Sequence, residues 1–268
     1  MLPSGAVSDP ALSALIGGLP YRLQLAGGWI DQPWMSSLNP EPPGSMVVVS
    51  LQPTVRFMDR CGMATGTRAV AQRLWGDSLP ADDPADLVRA LYAAENADLA
   101  EPSGSQDMCG MVYPGVSRLD YDAVVHGGVF PSHVESTCDE GVARWLEGVL
   151  HLIPVMQRPQ GYTPLEVRRL DPGWIARLGS SGRACFDAIV ARDVVALGES
   201  FNETARCWDA LLPNVHAHPT IKVDLRALLS AYQAASHGAM FSGCGGGYLI
   251  VASESEPPGS FQVSVRRQ

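Results

Sequence analysis

Two carboxylates stand in a pattern that suits metal binding and proton transfer. Ala94-Glu95-Asn96 is followed, past a break at Glu101, by Pro102-Ser103-Gly104-Ser105-Gln106-Asp107. Glu95 then closes one helix and Asp107 opens the next segment. Carboxylates so placed can hold Mg2+ and accept a proton. Surface acids, with Asp107 as a helix cap, fit the same spacing. A second group runs from Arg22 to Asp31, RLQLAGGWID. A strand delivers Arg22, Gly27 and Gly28 allow a tight turn, and Asp31 follows. This suits a polar ligand at a strand end, or a glycine turn with a solvated acid. A third, Gly62-Met63-Ala64-Thr65-Gly66-Thr67, opens a helix. Small residues there bring amides close to an anion at the positive helix end; plain capping is the alternative. A fourth, Gly238 to Tyr248, carries Gly243, Gly245, Gly246 and Gly247 before a strand, where backbone must approach something closely.

The elements that position these groups follow from periodicity and punctuation. Strands are predicted at Tyr21–Ala26, Met46–Leu51, near Val116–Tyr121, and at Val149–Met156, Tyr248–Ala252 and Phe261–Val265. Helices are predicted after Asp9, at Arg68–Trp75, from Pro84 to about Ala100, and at Glu140–Gly148. Further helices are expected at Pro172–Leu178, Gly182–Arg192, Val194–Leu211 and Val223–His237. A short segment spans Gln106–Val112. Hairpin-like strands mixed with helices indicate an α+β fold in two sub-domains, 1–145 and 146–268.

The 28 acidic against 19 basic residues give a net charge of −9, which argues against a general nucleic-acid surface. Lys222 is the sole lysine and follows Ile221, so a Walker-type phosphate loop is excluded. The apolar run Ala11–Ile16 is too short for a signal peptide, and no stretch approaches the roughly 20 residues of a membrane span. A cytoplasmic protein with neither membrane nor nucleic-acid partners is expected. Its six scattered cysteines read as reduced, mostly buried thiols. His216 and His218 read as surface polar residues, and Arg168-Arg169 and Arg266-Arg267 as solvated pairs. Trp29 and Trp34 suit either a sugar face or core packing.

Taken in order, the four groups resemble the GHMP small-molecule kinases, the superfamily of galactokinase, mevalonate kinase and homoserine kinase. The opening Arg-x-x-Leu-Ala-Gly-Gly-Trp-x-Asp is most similar to the fucokinase and heptose-phosphate kinase branch. The separation of Glu95 from Asp107 is that of the galactokinase Ala-Glu-Asn…Pro-x-Gly-x-x-Asp pattern. Ser242 to Gly247 resembles the family's glycine loop.

The resemblance implies a ribosomal-S5-like N-terminal half and a ferredoxin-like C-terminal half. It implies ATP and Mg2+ as cofactors, and a sugar or sugar phosphate as substrate, phosphorylated at its anomeric hydroxyl. Asp107 then takes the proton of the substrate hydroxyl, and Arg22 stabilises the alkoxide or the moving phosphoryl group. Asp31, Gly28 and Trp29 meet the sugar. Gly62, Met63, Ala64, Thr65, Gly66 and Thr67, with Ser242, Gly243, Gly245 and Gly246, cradle the phosphates. Glu95 and Thr67 hold the metal. Two departures stand out. Gly66 occupies the place of the family's second serine, a usual Mg2+ ligand, and the interval from Gly28 to Gly62 is short. Both also fit a catalytically silent relative that binds a sugar or sugar phosphate as sensor or regulator.

Overall fold

Gly44–Leu51 (β2) is a β-branched run buried along its whole length, and such a run seeks the middle of a sheet. The computed structural model, which describes residues 16–268, places it there. β2 pairs antiparallel with Tyr21–Gln24 (β1) on one side and Val116–Tyr121 (β3) on the other. His133–Thr137 (β4) completes a sheet ordered β1-β2-β3-β4. A second antiparallel sheet, ordered β6-β7-β5-β8, combines Leu150–Met156 (β5), Gly238–Phe241 (β6), Gly247–Ala252 (β7) and Phe261–Gln262 (β8). With the intervening helices this is an α+β architecture. The helix expected at Asp9 lies outside the described residues.

Eight α-helices follow in chain order among the described residues. They are Pro33–Ser36 (α1), Thr65–Trp75 (α2), Pro84–Asn96 (α3), Gln106–Val112 (α4), Glu140–Val149 (α5), Pro172–Ala191 (α6), Val194–Leu211 (α7) and Leu225–Ala235 (α8). Helices α6 and α7 pack on each other; α6 lies against β2 of the first sheet and α7 against β6 of the second. One apolar core therefore contains residues of both sheets. Aspartates start the long helices. Asp171 accepts from Trp174 N–H at 3.0 Å, and Asp193 from Val195 and Ala196 N–H, each at 3.0 Å.

Several expectations need correction. The two helices predicted at Pro172–Leu178 and Gly182–Arg192 are one continuous helix, α6. Gly179-Ser180-Ser181-Gly182 looks like a break, but the glycines are packing devices. A Cβ at Gly179 would come within 2.8 Å of Gly44 Cα, and one at Gly182 would overlap the Ser45 carbonyl. Helix α3 stops at Asn96 rather than near Ala100. Strands β4 and β6 carry no clear alternation and escaped prediction. Beyond β8 only Val265 bridges, to Leu51. His216 is buried rather than a surface residue, packed on Phe241 and bonded to Asp209 at 3.0 Å. Arg266 and Arg267 are not solvated. Arg266 binds the Met111 and Val112 carbonyls, and Arg267 pairs with Glu140 and Glu147. Nor is Arg168, which pairs with Glu101 at 2.6 Å and stacks on Trp34.

Candidate active site

β1 carries Arg22 inward, where its stem runs against Gly110 of α4. Gly110 lies one helical turn after Asp107, so both face β1. The result is a direct Arg22–Asp107 ion pair. Thr67 Oγ1, in the first turn of α2, donates to Asp107 Oδ2 at 3.4 Å. Burial lowers the Arg22 pKa to about 10, and the neighbouring Asp31 and Glu95 carboxylates oppose that shift.

The turn before α2 docks on the glycine loop. Gly62 has φ +78, and a Cβ there would overlap the Ser242 carbonyl. Ser242 Oγ donates to the Cys61 carbonyl at 2.7 Å and accepts from Tyr248 N–H at 3.1 Å. At the cap of α2, Ala64 is left-handed (φ 55, ψ 32) and no side chain among the described residues caps the helix. The helix start, with its positive end, opens onto a cleft of about 460 Å3. That size suits a small-molecule site.

Arg22, Gln24, Trp29, the stretch Gly62 to Gly66, Gln106, Asp107, Ser242 and Gly243 line the cleft. Most of the expected site residues are thus brought together, and the rest stand just behind. Thr67 is buried and donates to Asp107. Gly28 packs on the Gln24 amide. Gly245 N–H donates to the Val215 carbonyl at 2.9 Å, and Gly246 packs on Met156. Glu95 sits behind the Pro102–Ser105 loop, and its Oε1 accepts from Ser103 Oγ at 3.2 Å. Asn96 Oδ1 accepts from Ser103 N–H at 2.7 Å, so the Glu95-Asn96 pair holds that loop.

Asp31 is fully buried beneath the same loop. Its Oδ2 accepts from Gln106 N–H at 3.3 Å, and Gly104 lies directly on the carboxylate. Burial raises its pKa from 3.8 to about 6, against the Gln106 amide and Arg22, which pull it down. The unfolded chain releases this proton near pH 4 and the folded chain near pH 6. Wild-type stability therefore falls as pH rises through that window, by about 3 kcal/mol from this group. Thermal melts of Asp31→Asn between pH 4 and 7 should lack this component and show a higher midpoint at pH 7. Parallel curves for the two proteins would refute the assignment.

Sequence reasoning missed Arg60 and Arg158, which also line the cleft. Arg158 lies against Gly243, and its Nε is buried without a partner among the described residues. Both arginines stand in loops with no local motif. Gln24, Gln32 and Gln106 also line the cleft; they stand within or beside the groups already singled out, and only the folded chain shows that they face it.

No family model matches the sequence, and no curated protein matches it significantly. Solved structures do match over nearly the whole chain. The mevalonate kinase of Methanococcus jannaschii superposes with a TM-score of 0.56 at 9% identity, covering 88% of this chain and 89% of that one. A D-glycero-D-manno-heptose 1-phosphate kinase from Bacteriodes thetaiotaomicron gives 0.52 at 11%, covering 93% and 96%. The Streptococcus pneumoniae phosphomevalonate kinase gives 0.52 at 9%, covering 88% and 90%.

The chain has the GHMP-kinase fold.

Two sheets and the interposed helices set the four sequence groups around one cleft. Among the described residues no helix is long and apolar enough to cross a membrane.

Proposed function

We propose that this chain transfers the γ-phosphoryl group of ATP to a sugar or sugar phosphate, at its anomeric hydroxyl. The Arg22–Asp107 pair carries this reading, since it stands in one cleft with the start of α2 and the docked glycine loop. Phosphoryl transfer asks mainly for positioning and charge stabilisation. Asp107 takes the proton of the acceptor hydroxyl. The acceptor oxygen then bonds to the γ-phosphorus as the bond to the β–γ bridging oxygen breaks, and ADP leaves. Arg22, oriented by Asp107, faces the negative charge that develops. Amides at the start of α2, with Ser242 and Gly243, hold the phosphates, and Arg60 and Arg158 add positive charge beside them.

Two oxygen groups support a magnesium ion, and among the described residues no cluster of three or more His, Cys, Asp or Glu side chains is gathered to hold one. Glu95 Oε2 is a buried acceptor with no donor among the described residues, and the Thr67 hydroxyl stands beside Asp107. Glu95 and Thr67 would hold the ion, which when bound supplies charge neutralisation to the phosphates. Gly66 contributes no side chain there. Among the described residues no heavy atom lies within 4 Å of a Cβ built on it. Gly66→Ser should fold normally and lower the Mg2+ needed for half-maximal rate by about tenfold. A metal titration of rate reads this, and an unchanged midpoint would separate position 66 from the metal.

The direct test is ADP release from Mg·ATP with fucose, galactose, mannose and heptose 7-phosphate, followed by product mass and NMR. Acceptor-dependent release with phosphate on the anomeric oxygen supports the proposal. Bound ATP and bound sugar without transfer would instead make the chain a silent binder, which the missing side chain at Gly66 favours.

A further inference from the structure

The arginines of the cleft wall, Arg22, Arg60 and Arg158, differ in what holds them. Arg22 pairs with Asp107. The Arg60 guanidinium donates to the Pro159 carbonyl at 2.8 Å, and the Arg158 N–H donates to the Arg60 carbonyl at 3.2 Å. This double clasp ties the segment after β5 to the turn before α2. The Arg158 side chain, by contrast, has neither ion pair nor hydrogen bond among the described residues, and its Nε is buried. A partly buried cation left unanswered is costly unless a ligand meets it.

Three neighbours locate that charge. The guanidinium lies on Gly243 of the glycine loop, where a Cβ would overlap it. Burial raises the pKa values of Cys61, just before the Gly62 turn, and of Cys244, just after Gly243; Arg158 opposes the shift at both. Burial lowers the Arg22 pKa, and Arg158 adds to that shift more strongly than Glu95 opposes it. One free cation therefore acts at once on the Arg22–Asp107 pair, the turn before α2 and the glycine loop. Two guanidiniums that repel each other across a cleft call for an anion between them. The group that passes from the phosphate loops to the Arg22–Asp107 pair during the reaction is the γ-phosphoryl.

We infer that Arg158 is a catalytic residue, whose guanidinium contacts the γ-phosphoryl group of the nucleotide together with Arg22 and holds it through transfer. This rests on the kinase reading above and deepens it. The acceptor oxygen bonds to the γ-phosphorus, its proton goes to Asp107, and the β–γ bridging oxygen leaves with ADP. The charge on the transferring oxygens is then met by two guanidiniums. Arg60 is a positioning residue, since it clasps the segment that carries Arg158.

The full chain would be compared with Arg158→Met and Arg158→Lys. Calorimetry with Mg·ADP and with Mg·AMPPNP reads the γ contact, and ADP release with fucose, galactose, mannose and heptose 7-phosphate reads transfer. Arg158→Met deprives no other side chain of a partner, so it should fold, and its thermal midpoint checks this. It should bind ADP as the wild type does and AMPPNP about tenfold more weakly. Its kcat should fall about 10²- to 10³-fold with the acceptor KM unchanged. Arg158→Lys should recover part of both losses, because it restores the charge without the planar fork. Equal weakening of ADP and AMPPNP, or a raised KM for heptose 7-phosphate alone, would assign Arg158 to another phosphate and overturn the inference. A wild-type kcat in Arg158→Met would overturn it and leave the kinase standing. Preference for AMPPNP over ADP that depends on Arg158, without transfer to any acceptor, would uphold the γ-phosphoryl contact and overturn the kinase. No nucleotide binding by the wild type would overturn both.

Discussion

Asp107→Asn should reduce acceptor-dependent ADP release by about 10²- to 10⁴-fold, the usual contribution of a positioned general base. Asparagine keeps the size and one acceptor oxygen, so the start of α4 and its contacts with Thr67 are preserved. It cannot take the proton. Arg22 loses its direct countercharge, and its side chain is only 6% exposed. Asp107 is 27% exposed, however, so water screens part of the pair. The stability cost should stay near 1–2 kcal/mol, below that of a fully buried pair. The variant should therefore fold and bind ATP while turning over slowly. Arg22→Met should be comparably slow, and the double variant little slower than either, because the two residues act as one unit. Full activity in Asp107→Asn, or strictly additive losses, would place the base elsewhere.

Gly182→Ala should destabilise the protein by about 2 kcal/mol. Helix propensity alone gives the opposite sign, since replacing glycine by alanine inside a helix normally gains about 0.5–1 kcal/mol. Packing decides here. A Cβ at this position would overlap the Ser45 carbonyl in β2, and that strand is paired on both sides and cannot retreat. Gly148→Ala is the control. It also lies in a helix, α5, and among the described residues no heavy atom is within 4 Å of the added carbon. It should gain the ordinary 0.5–1 kcal/mol. Urea midpoints of the two variants compare these effects in one protein. If both shift in the same direction, the close contact of α6 with β2 is wrong.

The sequence alone settled whatever is encoded locally. Val47 to Val49 declare a buried strand, and Asp83-Pro84 declare a helix start, because β-branching and capping act within a few residues. The order of the four glycine- and acid-bearing groups was equally plain, as was the close backbone approach near Gly62 and Ser242. Tertiary structure decided what depends on partners distant in the chain. The Gly179–Gly182 stretch reads as a break until β2 is laid against it, and then it becomes the middle of α6. His216 and Arg266 look like surface residues until Asp209, Phe241 and the end of α4 close over them. Asp31 looks open to a ligand, yet the Gly104 loop buries it and lifts its pKa. Arg158 has no local signal at all; only the folded chain sets it on Gly243, at the wall of the cleft. Burial and electrostatic neighbourhood are properties of three-dimensional packing, so a linear pattern names the chemical groups but not the environment that sets what each can do.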